Sequence, residues 1–81
     1  MSGADISTAL IAAVKACANE AAGAEAPMVS ITMEFVHDTA SAISVAASVT
    51  RKTRTLVFIA AEARADGALV ATAASVHKIR G

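Results

Sequence analysis

Pro27 is the only proline in this 81-residue chain, and the hydrophobic pattern changes period across it. From Ala4 to about Ala22 apolar residues recur at helical spacing. Ile6, Leu10, Ala13, Val14, Cys17 and Ala21 fall on one stripe, with Thr8, Ala12, Lys15 and Asn19 opposite. Beyond Pro27 the period is two. Val29, Ile31, Met33 and Phe35 alternate with Ser30, Thr32 and Glu34, and then Ile43, Val45, Ala47 and Val49 alternate with Ser44, Ala46, Ser48 and Thr50. The later connections are too short for crossover helices, so the strands must be antiparallel. A chain that switches once from helix to strand is thereby held to an α+β architecture, one long N-terminal helix packed on a four-stranded antiparallel sheet.

The boundaries have local causes. Ser2 and Asp5 form an S-x-x-D capping pattern at the helix start, and Gly23 can take the left-handed position that closes the helix. Leu56, Phe58 and Ala60 interleave with Val57, Ile59 and Ala61, so Thr55 to Ala63 is apolar on both phases, as expected of a central strand covered on both sides. Asp66-Gly67 between two apolar runs is a hairpin signal, because both residues tolerate positive φ. The spacing predicts a single domain over residues 1–81, with a helix at 4–22 and strands at 28–36, 41–50, 54–64 and 68–79. Only Phe35 and Phe58 are bulky, so the core should be shallow and alanine-lined, letting the helix lie close to the sheet.

A domain this short buries only about 60% of its unfolded surface, yet the chain is 56% hydrophobic with a mean hydropathy of +0.59. Cys17, the single cysteine, has no disulfide partner, and no His/Cys pattern suggests a metal. The apolar surplus is therefore expected to meet a second copy, as a homodimer or tetramer. No apolar run reaches the roughly 18 residues of a membrane span, and no signal peptide is visible. A cytoplasmic location is the expectation. Charge is uneven: one lysine against five acids gives −4 over residues 1–50, and six bases against two acids give +4 over 51–81. Without interleaved aromatic residues this does not suggest a nucleic-acid surface.

The order helix, strand, corner and three-strand meander resembles the hotdog fold. The stretch "VSITMEFVHDTASAISVAASVTRKTRTLVFIAAEARADGALVATAASV", Val29 to Val76, looks like acyl-CoA thioesterases of the phenylacetate-pathway type. "TRKTR" falls where those proteins have a basic turn, and "DGALVATA" matches their D-G-x-L-V-A-x-A strand. The resemblance covers about residues 2–79, and family members usually carry a further strand before the helix, which would otherwise shield the strand around Ala42 to Thr50. His37 and Asp38 lie at the corner between the first two strands. Their adjacency favours a turn over a catalytic dyad, since neighbours leaving a strand point to opposite faces.

What the resemblance implies is thioester hydrolysis at a subunit interface, with the carbonyl polarised by an amide at the helix N-terminus and a helix carboxylate of the partner as base. Gly3 can stand for the loop glycine. Where the acid is expected stand Leu10 and Ile11, which leaves Asp5, Ser7 or Thr8 to assist water, with Glu20 too late in the helix. The implied ligand is an acyl-CoA-like molecule whose coenzyme A moiety belongs to the substrate, with no separate cofactor. Its phosphates could meet Arg51, Lys52 and Arg54. Cys17 reads as a small core residue and His77 as a surface histidine. The missing helix acid also admits a different class, a non-catalytic hotdog module for acyl or CoA binding or for assembly.

Overall fold

The computed structural model describes residues 3–37 and 41–79. It contains one helix, α1 (Gly3–Ala22), and four strands, β1 (Met28–Phe35), β2 (Ser44–Lys52), β3 (Leu56–Ala65) and β4 (Ala68–Lys78). Gly23, at φ 71°, ends α1 in the left-handed conformation that the sequence suggests. Asp66 and Gly67 turn β3 into β4 with φ of 52° and 81°, the paired positive values of a type I′ hairpin. β3 begins later than the hydrophobic run alone implies. Thr53 closes the preceding turn, its Oγ1 accepting the N–H of Leu56 at 3.0 Å while its own N–H donates to the Leu56 carbonyl at 2.8 Å.

All pairings are antiparallel, and the sheet order is β1-β4-β3-β2. β2 to β4 form a meander, and β1 and β2 stand at opposite edges, so the segment between them must cross the sheet. Its start is pinned by a bulge. Ala63 pairs with Ala71 but Arg64 with Leu69, which leaves Val70 as an extra residue in β4. The Val70 carbonyl then accepts the N–H groups of Val36 at 2.8 Å and His37 at 3.4 Å. His37 is thus a corner residue with an exposed side chain, while Asp38 lies outside the described residues, as does Ser2 of the expected cap.

The α1 stripe Ile6, Leu10, Val14 and Ala18 is buried together with Val57, Ile59, Ala61 and Ala63 of β3 and Ala71 and Ala73 of β4. Alanines predominate on the sheet side of this core, as the composition suggests. One expectation fails: β3 is covered on one face only. Leu56, Phe58 and Ala60 are half-buried, and Glu62 and Arg64 are exposed, because α1 is the only helix among the described residues and it occupies the other side. On this open face Arg51 stacks 6.0 Å from the Phe58 ring centroid and Arg64 pairs with Glu62 at 2.7 Å.

His77 is also corrected: it is wholly buried, not on the surface. Its phase decides this, because Ala71, Ala73, Ser75 and His77 all point to the helix side of β4. The Ala26 carbonyl, 3.3 Å from Nδ1, can only accept, so Nδ1 carries a proton, and Nε2 is hydrogen-bonded to the Ser75 hydroxyl at 2.8 Å. Among the described residues no helix is long and apolar enough to cross a membrane.

Candidate functional site

Ile11, Lys15 and Asn19 recur every fourth residue and so share one face of α1. Opposite them runs the segment Glu25, Ala26, Pro27 and Met28, and the two walls flank an open cleft of about 600 Å³. That volume suits a small-molecule ligand. The outer wall is built in place. Ala26 donates its N–H to Asn19 Oδ1 at 2.8 Å and its carbonyl accepts from His77, while the Pro27 carbonyl accepts the Lys78 N–H at 2.8 Å. With both polar groups of the Ala26 peptide engaged and φ of Pro27 fixed by its ring, the cleft is preformed.

Its lining is half apolar, from Ile11, Ala26, Pro27 and Met28. The polar members are Lys15, Asn19 and Glu25. Asn19 uses its oxygen on Ala26, which leaves the carboxamide N–H donors available. The side chains of Lys15 and Glu25 are exposed and make no hydrogen bond or ion pair with the described residues. Sequence reasoning missed Glu25, which sits in a short connection without periodicity. The available signal was Ile11, an apolar residue on the same helix face as Lys15 and Asn19.

The residues expected from sequence lie at both ends of α1. Gly3, Asp5, Ser7 and Thr8 occupy its first two turns, with Asp5 and Thr8 exposed and Ser7 half-buried. Arg51, Lys52 and Arg54 lie at the other end, where Lys52 Nζ donates to the Ala21 carbonyl at 2.8 Å. At 1.5 Å rise per residue, Gly3 and Ala21 are about 27 Å apart, so a single chain does not bring the two sets together. Arg51 is engaged with Phe58, whereas Arg54 makes no hydrogen bond or ion pair with the described residues. Leu10 is fully buried and Ile11 lines the cleft, so the expected acid position offers no carboxylate. Cys17 is half-buried against the core and, with Glu20, Ala21, Ala47 and Val49, lines a second hollow of about 400 Å³. No group of three or more His, Cys, Asp or Glu among the described residues could hold a metal.

One helix laid on one face of an antiparallel sheet ordered β1-β4-β3-β2 makes this a hotdog-like fold. No family model matches the chain, and no curated protein matches it. Solved structures do. A crystallised protein of the thioesterase superfamily superposes with a TM-score of 0.87 at 20% identity, over 99% of this chain and 62% of that one. A Chromobacterium violaceum protein gives 0.79 at 12% identity, over 100% of this chain and 63% of that one. A Pseudomonas aeruginosa protein gives 0.63 at 17% identity, over 69% of this chain and 44% of that one. At these identities the likeness concerns the fold, and the chain spans less than two thirds of each of these proteins.

Proposed function

We propose that the protein takes acyl-CoA thioesters at an interface between two copies of the chain and hydrolyses them, with the acyl group in the cleft between α1 and residues 25–28. The observation that carries this reading is the cleft itself: a preformed, half-apolar hollow beside the helix of a hotdog-like fold. The N-terminal amides near Gly3 would polarise a thioester carbonyl, Asp5, Ser7 or Thr8 would assist water, and Arg51, Lys52 and Arg54 would receive the CoA phosphates. Because those groups lie at opposite ends of α1, two copies are the natural way for one ligand to meet both. The β1 edge supports self-association, with Val29, Phe35 and Val36 at 62%, 48% and 59% exposure beside unpaired strand backbone. The lone thiol of Cys17 suits a reducing, cytoplasmic setting.

A second reading, a non-catalytic hotdog module for acyl or CoA ligands or for assembly, is favoured by the apolar Leu10 and Ile11. A panel of acyl-CoA substrates assayed for released thiol separates the two. Turnover above background, reduced in Asp5→Ala, is expected from the hydrolase, and a uniformly silent panel would leave only the module. Light scattering after size exclusion should give twice the 8.1 kDa chain mass or a multiple of it, and a stable monomer would contradict the shared site. Replacing Arg51, Lys52 and Arg54 together by alanine should weaken CoA binding in calorimetry by about tenfold or more, through loss of charge-assisted phosphate contacts. Unchanged affinity would leave those side chains with their roles on Phe58 and Ala21.

A further inference from the structure

We infer that the carboxylate missing from α1 is supplied by Glu25, and that the reacting thioester carbonyl sits in the cleft beside it. This rests on the thioester reading above and replaces two of its assignments: the water-activating role moves from Asp5 to Glu25 and the carbonyl-polarising role from the Gly3 amides to Lys15 and Asn19, so that Asp5→Ala would leave turnover unchanged. Among the residues lining the cleft, Glu25 is the one able to take a proton from water. The Asn19 oxygen is occupied by the Ala26 N–H, Lys15 is an ammonium, and His77 is walled off behind Ala26. The backbone next to Glu25 is fixed on both sides of the Ala26 peptide, so the carboxylate is presented from a rigid wall, while its oxygens remain uncommitted to any described residue.

The chemistry closes with the groups present. Glu25 accepts a proton as the water oxygen bonds to the thioester carbon, and the negative charge passes to the carbonyl oxygen. There it meets the Lys15 ammonium and the Asn19 carboxamide N–H, donors in the same cleft. When the carbonyl re-forms, the carbon–sulfur bond breaks and the sulfur leaves with the proton that Glu25 had held. One thioester and one water yield one carboxylic acid and one thiol. Ile11, Met28 and Pro27 give the acyl chain an apolar bed.

The test is Glu25→Gln in the full chain, assayed with hexanoyl-CoA and phenylacetyl-CoA. Loss of a general base typically lowers kcat by about 100-fold or more, and that is the expected loss, with calorimetric affinity for CoA within about twofold of wild type. Glu25→Asp should restore part of the rate, Lys15→Met should lower kcat by about tenfold or more, and Glu34→Gln on the other face of β1 should match wild type. A Glu25→Gln variant turning over within about threefold of wild type would overturn the assignment and leave the thioesterase reading standing. Wild type that binds the substrates without turnover would also overturn it while sparing the binding module. Wild type that neither binds nor turns over would remove both.

Discussion

Replacing His77 with alanine is expected to lower the unfolding free energy by about 3–5 kcal/mol, one of the two largest effects of any single change considered. His77 is wholly buried and joins two elements, Ser75 on its own strand and Ala26 on the loop after α1. Removing the ring leaves the Ser75 hydroxyl and the Ala26 carbonyl without their partner, at about 1–3 kcal/mol for each buried group, and opens a cavity besides. At about 0.05–0.15 kcal/mol per residue, a domain of this length holds roughly 4–12 kcal/mol in total. The variant should therefore sit near the edge of folding. Ser75→Ala alone should cost about 1–3 kcal/mol by stranding Nε2, and Ser75→Ala with His77→Leu should cost less than the two single changes summed. Urea unfolding followed by circular dichroism reads all three. A loss below about 1 kcal/mol in His77→Ala would show that the chain from Ala26 to Ser75 holds little of the fold together.

Leu10→Ala should be comparably severe, at about 2–5 kcal/mol, with a melting temperature lower by roughly 10 °C or more. Leu10 is fully buried in the middle of the Ile6, Leu10, Val14, Ala18 stripe. Most of the sheet residues buried in the same cluster are alanines and valines, short side chains that cannot reach into the space a leucine vacates. The cavity therefore persists, which places the cost toward the upper part of the range. Ile11→Ala, one residue away but half-buried in the cleft wall, should cost only about 1 kcal/mol. Equal melting temperatures for the two variants would contradict the orientation of α1.

What the sequence disclosed follows from where its physics is local. The change from helical to alternating period at Pro27, the left-handed Gly23 and the Asp66-Gly67 hairpin each depend on neighbouring residues alone, and each is found. His77 was legible in principle, since it keeps phase with Ala71 and Ala73; the general tendency of histidine to lie at surfaces outweighed that phase. β3 was misjudged because alternation reports how apolar each face is, not which face another element covers. The basic turn was altered by a bulge: Val49 pairs with Ile59 but Arg51 with Phe58, so Thr50 is an extra residue. Arg51 then meets Phe58 on the open face while Lys52 reaches the end of α1. The cleft was the least legible feature. It joins the polar side of α1 to an aperiodic connection through one side-chain bond, from Ala26 to Asn19, and nothing in the spacing of Glu25 announces that partnership.

Backbone amide NMR during a titration of the full chain with hexanoyl-CoA tests most directly whether acyl groups enter the cleft beside α1. Saturable shifts are expected at Ile11, Lys15, Asn19, Glu25, Ala26 and Met28, with Thr72 and Ala74 on the open face of the sheet unmoved. Shifts confined to that open face, or none at saturating ligand, would contradict it.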